Sequence, residues 1–403
     1  MTSPRRDQTK SREYSSHLLI WLAVLCACLI FVFHFSFGAG SENLITDSYC
    51  YVAVSQGELV RVPYNTRILQ PFIASSVSFF TRLSRIGSFE LLTPVELLAS
   101  LLLMVSILRR RRATTRWQAA IVLAFGSSLA VTFGYTPVLV DPLALLLVCL
   151  MIAALDRGYV VFALIFACLA ALTKEYCVLL GIIWGYSAYR RGHARLAIAA
   201  ALLPGLALLG SALTLPAEQD SGFHGWQGFL RAMLGYHGSL LKFRGAAAYT
   251  EILYMWSWCV LWPIILLGAA VLLFQPLRGR VGEEDRFGFA VMLAAVPFLL
   301  LGDWGRAMLV VVPFACAVAA SHPLARSNRT ALLLGAGGLS TALARPFHGA
   351  ATPPRVFTLV MIFISTAASA LLAFIIIRSG MSHRLAGAFR IQKPIQESPV
   401  ELQ

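Results

Sequence analysis

The side chains that could do chemistry lie in four short polar segments of a mostly apolar chain. The first segment reads ITDSYCYVAVSQGELVRVPYNTRILQP and contains Asp47, Tyr49, Tyr64 and Arg67. A carboxylate at Asp47 could act as a general base toward a hydroxyl group, and the guanidinium of Arg67 suits a phosphate. Asp47 could equally cap a helix, because TDSY resembles an N-cap followed by a first turn.

The second and third segments each allow a structural and a functional interpretation. In GYTPVLVDPLALLL, Asp141 precedes Pro142, and this order favours an N-cap at the start of a helix over a site residue. In LAALTKEYCVLL, Lys174 and Glu175 interrupt an apolar run. These two charges form either a self-neutralising turn between two membrane spans or a contact with an anionic lipid headgroup.

The fourth segment, GDWGRAM, contains Asp303, Trp304 and Arg306. Trp304 is typical of the aromatic belt at a membrane interface. Asp303 and Arg306 could pair with each other at a spacing of three residues. We favour a contact between Arg306 and a phosphate, because an arginine at this depth needs an anion. Glu96 is a further acid, and we expect it to face the interior of the protein.

The composition explains where these segments must lie. The chain has 403 residues, of which 58% are hydrophobic and only 13% charged, whereas a soluble domain carries about 25% charged residues. We therefore expect an all-α integral membrane protein, with about 12 transmembrane helices and juxtamembrane helices on the external face. The predicted spans are 18–38, 88–108, 117–135, 138–155, 158–173, 175–189, 195–215, 252–274, 287–301, 306–320, 331–345 and 356–377.

The basic residues predict the orientation of these spans. The formal net charge is +14, but the arginines and lysines form clusters between apolar runs, so they indicate topology and no nucleic-acid partner. The four arginines at 109–112 are the strongest cluster. This orientation gives a cytoplasmic tail at 1–16, a transmembrane domain at 17–378 and a second cytoplasmic tail at 379–403.

Two long external segments follow from this topology. The first, 39–87, contains a run at 67–84 that we interpret as a juxtamembrane helix; a thirteenth span there would place a strong arginine cluster outside. The second, 216–251, has the apolar spacing of an amphipathic helix on the membrane surface. The eight cysteines form no CxxC pair, which indicates core residues and not a zinc or disulfide framework.

All four polar segments fall on the external side, although the spans were placed from apolar runs and arginine clusters alone. Acids and bases at one membrane surface suit a lipid-linked anionic substrate. The phosphate would lie among the basic side chains, while the lipid tail would lie between helices.

The order of these motifs resembles the membrane glycosyltransferases of the GT-C superfamily. The matching features, over about residues 18–320, are a first span, a loop with Asp47 and Tyr49, PYNTRILQP, a span beginning VDPLALLL, a turn reading LTKE and a late DWGR. The resemblance implies transfer of a sugar from a polyprenyl-phosphate donor to a glycan, lipid or protein acceptor on the periplasmic or external side. It also implies that Asp47 is the base or positions the acceptor.

By the same analogy, Arg67, Lys174 and Arg306 would contact the donor phosphate. Many members of the superfamily carry two acids close together in the first loop, but Ser48 follows Asp47 here. We therefore expect no metal and no cofactor. The compact, arginine-rich chain favours a bacterial inner membrane. Two alternatives remain: a transporter or flippase of a lipid-linked or small anionic substrate, and a non-catalytic partner in envelope-glycan assembly.

Overall fold

The chain adopts a helical architecture in the part that the computed structural model describes. The described residues are 4–38, 46–60, 64–135, 137–190, 192–214, 312–320 and 327–344, with single residues or pairs between 360 and 375. Within these ranges 86% of residues are helical and none is in a strand. For the described residues, this confirms the prediction of an all-α protein.

Eleven α-helices and two 3₁₀ turns make up the described part of the chain. The turns are Tyr64–Thr66 and Glu175–Cys177. The helices are α1 (Pro4–Gly38), α2 (Thr46–Gln56), α3 (Leu69–Thr81), α4 (Arg85–Arg110), α5 (Thr115–Tyr135), α6 (Asp141–Leu155), α7 (Val160–Ala171), α8 (Val178–Arg190), α9 (Ala194–Thr214), α10 (Val312–Ala320) and α11 (Asn328–Ala344).

Most of the predicted spans that fall within the described residues coincide with one of these helices, with shifted ends. The predicted spans 158–173 and 175–189 become α7 and α8, which leave Lys174 and Glu175 in the turn between them. Helix α1 begins at Pro4, so it includes residues 4–16, which the sequence assigned to a tail. The spans predicted at 252–274 and 287–301 and the segment 216–251 lie outside the described residues.

Two of the described helices are long and apolar enough to cross a membrane: α4, and Ala194–Leu213 of α9. Large apolar side chains also lie on the outer surface of the fold and are 70% to 81% exposed, namely Phe79, Phe80, Val161, Leu213 and Leu332. Apolar exposure on this scale is unfavourable in water and typical of a surface that contacts lipid. Both observations support membrane association.

Helix α3 has the dimensions of a juxtamembrane helix. It has 13 residues, so it is only about 20 Å long at 1.5 Å per residue. Its C-cap is Arg82, whose φ is 60°. The hydrocarbon core of a bilayer is about 30 Å thick. Helix α3 exposes Phe72 and Phe79, and it buries Gln70 and Ala74. This length is too short for a span and suits the juxtamembrane helix that the sequence predicts within 67–84.

Small residues allow close helix packing, as the Gly181/Gly185 spacing predicts. A Cβ atom built on Gly181 would lie 2.4 Å from the carbonyl oxygen of Ala200, and one on Gly185 would lie 2.7 Å from that of Ala197. Helices α8 and α9 therefore pack backbone to backbone. At the other side of the fold, α5 packs between α1 and α11.

Replacing Gly181 with Ala is expected to lower the free energy of unfolding by about 1–3 kcal/mol, because the new methyl group forces the two backbones apart. The matched control is Gly210→Ala, since a Cβ built at Gly210 has nothing within 4 Å. Thermal unfolding of both purified variants in detergent measures the difference. Equal midpoints for the two variants would contradict the close approach of α8 and α9.

Candidate functional site

Asp47 and Tyr64 begin the network of polar contacts. Asp47 lies in the first turn of α2, and its Oδ1 accepts a hydrogen bond from the Tyr64 hydroxyl at 2.5 Å. Burial raises the pKa of Tyr64 above its ordinary value, and the Asp47 carboxylate raises it further. Tyr64 therefore stays protonated at neutral pH and keeps donating to the carboxylate.

Arg67 connects this pair to the turn between α7 and α8. Its Nε and Nη2 donate to the two carboxylate oxygens of Glu175 at 2.8 Å and 2.6 Å. Its Nη1 donates to the Tyr51 hydroxyl at 2.6 Å, and its guanidinium carbon lies 5.4 Å from the centre of the Tyr64 ring. The bidentate pairing fixes the guanidinium plane, as is typical of arginine and carboxylate.

Asp141 and Lys174 form a second ion pair beside the first. The Lys174 Nζ lies 3.2 Å from the Asp141 Oδ1, and both side chains are 0% exposed. Val140 and not Asp141 is the N-cap of α6, and it makes no side-chain capping bond. The N-cap interpretation of Asp141 was therefore wrong. Its carboxylate has a buried cation within reach, and an ammonium group in this environment requires a counter-charge.

The self-neutralising interpretation of Lys174 and Glu175 is also corrected. Lys174 pairs with α6, whereas Glu175 pairs with Arg67. Successive side chains in an extended or 3₁₀ segment point in different directions, so adjacent charges reach partners on different elements. The described part of the site therefore contains three carboxylates and two cations: Asp47, Asp141 and Glu175 with Arg67 and Lys174.

Backbone contacts hold the turn that carries Tyr64 and Arg67. The Ser211 hydroxyl of α9 donates to the Thr66 carbonyl at 3.1 Å, and the Leu69 amide donates to the Leu172 carbonyl at 3.3 Å. These bonds join the start of α3 to α9 and to the end of α7. The side chains of the network are therefore positioned by several helices and not by one loop.

The remaining predicted site residues divide into two groups. Tyr49 lies on α2 but is 56% exposed, so it presents most of its ring to the surroundings of the protein. Asp303 and Arg306 lie outside the described residues. Their predicted contact with a phosphate stays a prediction.

Two members of the polar network were not predicted from the sequence, namely Tyr51 and the partner of Glu96. Tyr51 is fully buried and follows Asp47 by four residues on α2, so the helical period alone places both on one face. The Gln70 amide nitrogen donates to the Glu96 Oε2 at 3.1 Å. Gln70 and Glu96 belong to α3 and α4, and no spacing rule connects positions on two separate helices.

No cluster of three His, Cys, Asp or Glu side chains within the described ranges is arranged to hold a metal ion. The polar contacts instead connect acids to bases and tyrosines. No family model matches this chain, and no curated protein or solved structure matches it either. The function is therefore inferred from the geometry of the network and from the sequence motifs.

Glu175 is expected to make the folded state less stable at acidic pH. Burial favours a higher pKa for Glu175, but the charge and hydrogen bonds of Arg67 outweigh burial and lower the pKa below its ordinary value. A carboxylate with a lowered pKa stabilises the folded state above its unfolded pKa of about 4.3 and loses that contribution as the pH falls through the folded value.

Glu175→Gln is therefore expected to lower the free energy of unfolding by about 2–3 kcal/mol, and by the same amount throughout pH 5 to 8. Below about pH 4 the wild type loses its advantage, and the two proteins converge. Denaturation midpoints measured from pH 3 to 8 check this, with the exposed Glu58→Gln as the control. A difference in stability between the wild type and Glu175→Gln that grows as the pH falls would contradict a lowered pKa for Glu175.

Proposed function

We propose that this chain is a membrane glycosyltransferase that moves a monosaccharide from a polyprenyl-phosphate donor to an acceptor on the external side. The observation that carries the proposal is the network itself. Asp47, Tyr64 and Arg67 come from one polar segment and Glu175 from another, 108 positions after Arg67, yet each of the four contacts the next. Lys174, next to Glu175 in the chain, pairs with Asp141.

The proposed reaction uses Asp47 as the general base. Its carboxylate takes the proton of an acceptor hydroxyl, and that oxygen forms a bond to the anomeric carbon of the donor sugar. The bond between the anomeric carbon and the phosphate oxygen breaks, and its electron pair leaves with the polyprenyl phosphate. Attack opposite the leaving group inverts the anomeric configuration. The hydrogen bond from Tyr64 holds the carboxylate in one orientation.

Basic side chains would stabilise the negative charge on the departing lipid phosphate. Arg67 and Lys174 both carry carboxylate partners in this structure. A phosphate would therefore take over one of these cations from its carboxylate, or it would bind Arg306. The proposal thus includes an exchange of partners when the donor binds.

The membrane topology is part of the same proposal. It places about 12 spans, both termini in the cytoplasm and the chain in a bacterial inner membrane. An ion pair between the C-terminal ends of α4 and α6 supports the placement of these two ends on one side of the membrane. Arg111, a member of the arginine cluster at 109–112 that predicts the cytoplasmic side, donates to Asp156 at 2.9 Å.

A transfer assay tests the proposed activity. The full chain is reconstituted in proteoliposomes with radiolabelled polyprenyl-phosphate monosaccharides, and membrane extract supplies the acceptors. We expect protein-dependent release of polyprenyl phosphate and movement of the label into a new product. A panel of donors from which no lipid phosphate is released would contradict the proposal.

A transporter or flippase is the second candidate, and the Asp141–Lys174 pair favours it. Fully buried charges between helices are typical of ion and substrate pathways. Cysteines introduced at 47, 174 and 306 distinguish the two functions. The transferase predicts that membrane-impermeant reagents label none of these three positions from the cytoplasmic side. Labelling of position 174 from both sides during turnover would instead indicate alternating access.

A further inference from the structure

A groove between α1, α5 and α11 lies apart from the polar network. It has a volume of about 620 Å³. Its lining is apolar except at one end, where Arg116 and Asn328 are found. Leu19 of α1 lies at this end, and Leu339 of α11 lies at the far end of the lining. Among the described residues that line it, the groove is therefore an apolar channel with Arg116 as the cation at its mouth.

The three helices run parallel, so the charged end belongs to one side of the fold. Small residues bring α1 against α5 and α5 against α11: Gly126 meets Ala27, and Gly338 meets Ala124. Residue numbers therefore increase in the same direction along the groove on all three helices. Arg116 and Asn328, near the starts of α5 and α11, therefore lie at the same level.

The length of the groove matches one leaflet of a bilayer. On α11 its lining extends from Asn328 to Leu339, which corresponds to about 16 Å at 1.5 Å per residue. Half of a hydrocarbon core is about 15 Å. Its floor is formed by small side chains, because a Cβ built on Gly335 would already lie 3.7 Å from Ala120. An extended chain of methylene groups fits such a channel.

Arg116 supplies the charge that an amphiphile would need. Its side chain is exposed, and among the described residues no carboxylate pairs with it. Arg111 near the same end of the fold pairs with Asp156. The positive charge of Arg116 is therefore available to an anion at the mouth of the groove. In the predicted topology this mouth opens at the cytoplasmic surface.

We infer that this groove binds an anionic glycerophospholipid, with an acyl chain along α1, α5 and α11 and the phosphate headgroup on Arg116. The apolar lining selects an amphiphile over a water-soluble anion. The positive charge of Arg116 selects a headgroup with net negative charge. This inference does not depend on sugar transfer at the opposite end of the molecule.

Native mass spectrometry of the full chain in detergent tests the inference with two probes, phosphatidylglycerol and phosphatidylcholine with identical acyl chains. We expect phosphatidylglycerol to be retained preferentially. Arg116→Gln should weaken its binding about fivefold, as expected for one basic residue near a lipid headgroup, and should leave phosphatidylcholine unchanged. Arg110→Gln, at the exposed end of α4, is the control for net charge.

A second variant tests the groove itself. Ala336→Phe fills the channel from an exposed position and should weaken binding of both lipids, whereas Leu333→Phe on the same helix lies outside the lining and should not. Equal retention of the two lipids by the wild type, or unchanged binding in Arg116→Gln, would overturn the inference. The inference would also be overturned if the wild type formed a dimer and Ala336→Phe dissociated it, because a second copy of the chain would then occupy the groove.

Discussion

Replacing Asp47 with Asn is expected to lower the rate of sugar transfer by at least about 100-fold, while the protein still inserts and folds. A positioned general base contributes about 10² to 10⁴ to a rate. Asn keeps the size of the side chain and still accepts the hydrogen bond from Tyr64, but its amide cannot take a proton from an acceptor hydroxyl. The loss should appear in kcat, measured as product formed per molecule of folded protein.

Glu58→Gln is the matched control for this variant. Glu58 is an exposed acid just after α2, so its removal changes the net charge equally and should leave transfer unchanged. Tyr64→Phe should have an intermediate effect, because the carboxylate remains but loses one orienting hydrogen bond. Transfer by Asp47→Asn at the wild-type rate would remove Asp47 from its proposed role.

Replacing Lys174 with Met is expected to destabilise the fold by about 3–5 kcal/mol. The change leaves the Asp141 carboxylate fully buried without its cation, and breaking a buried ion pair from one side carries a penalty of this size. Asp141→Leu alone should have a comparable effect, since it leaves the ammonium group of Lys174 without its counter-charge. Denaturant unfolding of the purified proteins measures both effects.

The double variant Lys174→Met with Asp141→Leu separates a structural role from a functional one. An apolar pair of similar size can replace a buried ion pair with little loss of stability. We therefore expect the free energy of unfolding to return to within about 1 kcal/mol of the wild type, while sugar transfer stays low. A double variant that recovers both stability and transfer would show that the pair serves the fold alone.

The Arg111–Asp156 pair provides a comparison at the other end of the fold. Its side chains are also largely buried, at 13% and 5% exposure. Arg111→Met should reduce stability, but it should not alter transfer per molecule of folded protein. This outcome would show that losing a buried charge is not in itself enough to reduce transfer, so that the effect of replacing Lys174 is specific to its position.

The sequence predicted the positions of the network better than its contacts. Asp141 and Lys174 were each placed at the external ends of spans, and their ion pair requires the two ends to lie together. The choice between an N-cap and a site residue at Asp141 depended on Lys174, which lies more than 30 positions further along the chain. Local spacing rules do not include such a partner.

The same limit explains Glu96 and Tyr51. Glu96 was expected to face the interior, and its burial confirms this, but its hydrogen bond to Gln70 depends on how α3 packs against α4. Tyr51 could have been found, because it lies one helical turn after Asp47. The ends of helices α7 and α8 differ from the predicted spans because hydropathy does not register the 3₁₀ turn at Glu175–Cys177.

The most direct test is the position of a lipid phosphate in a cryo-electron microscopy map of the full chain with a non-hydrolysable polyprenyl-phosphate sugar analogue. Our account predicts the phosphate within hydrogen-bonding distance of Arg67, Lys174 or Arg306, and the anomeric carbon on the side of Asp47. Density for the sugar phosphate beside the arginines at 109–112, on the opposite face of the protein, would contradict it.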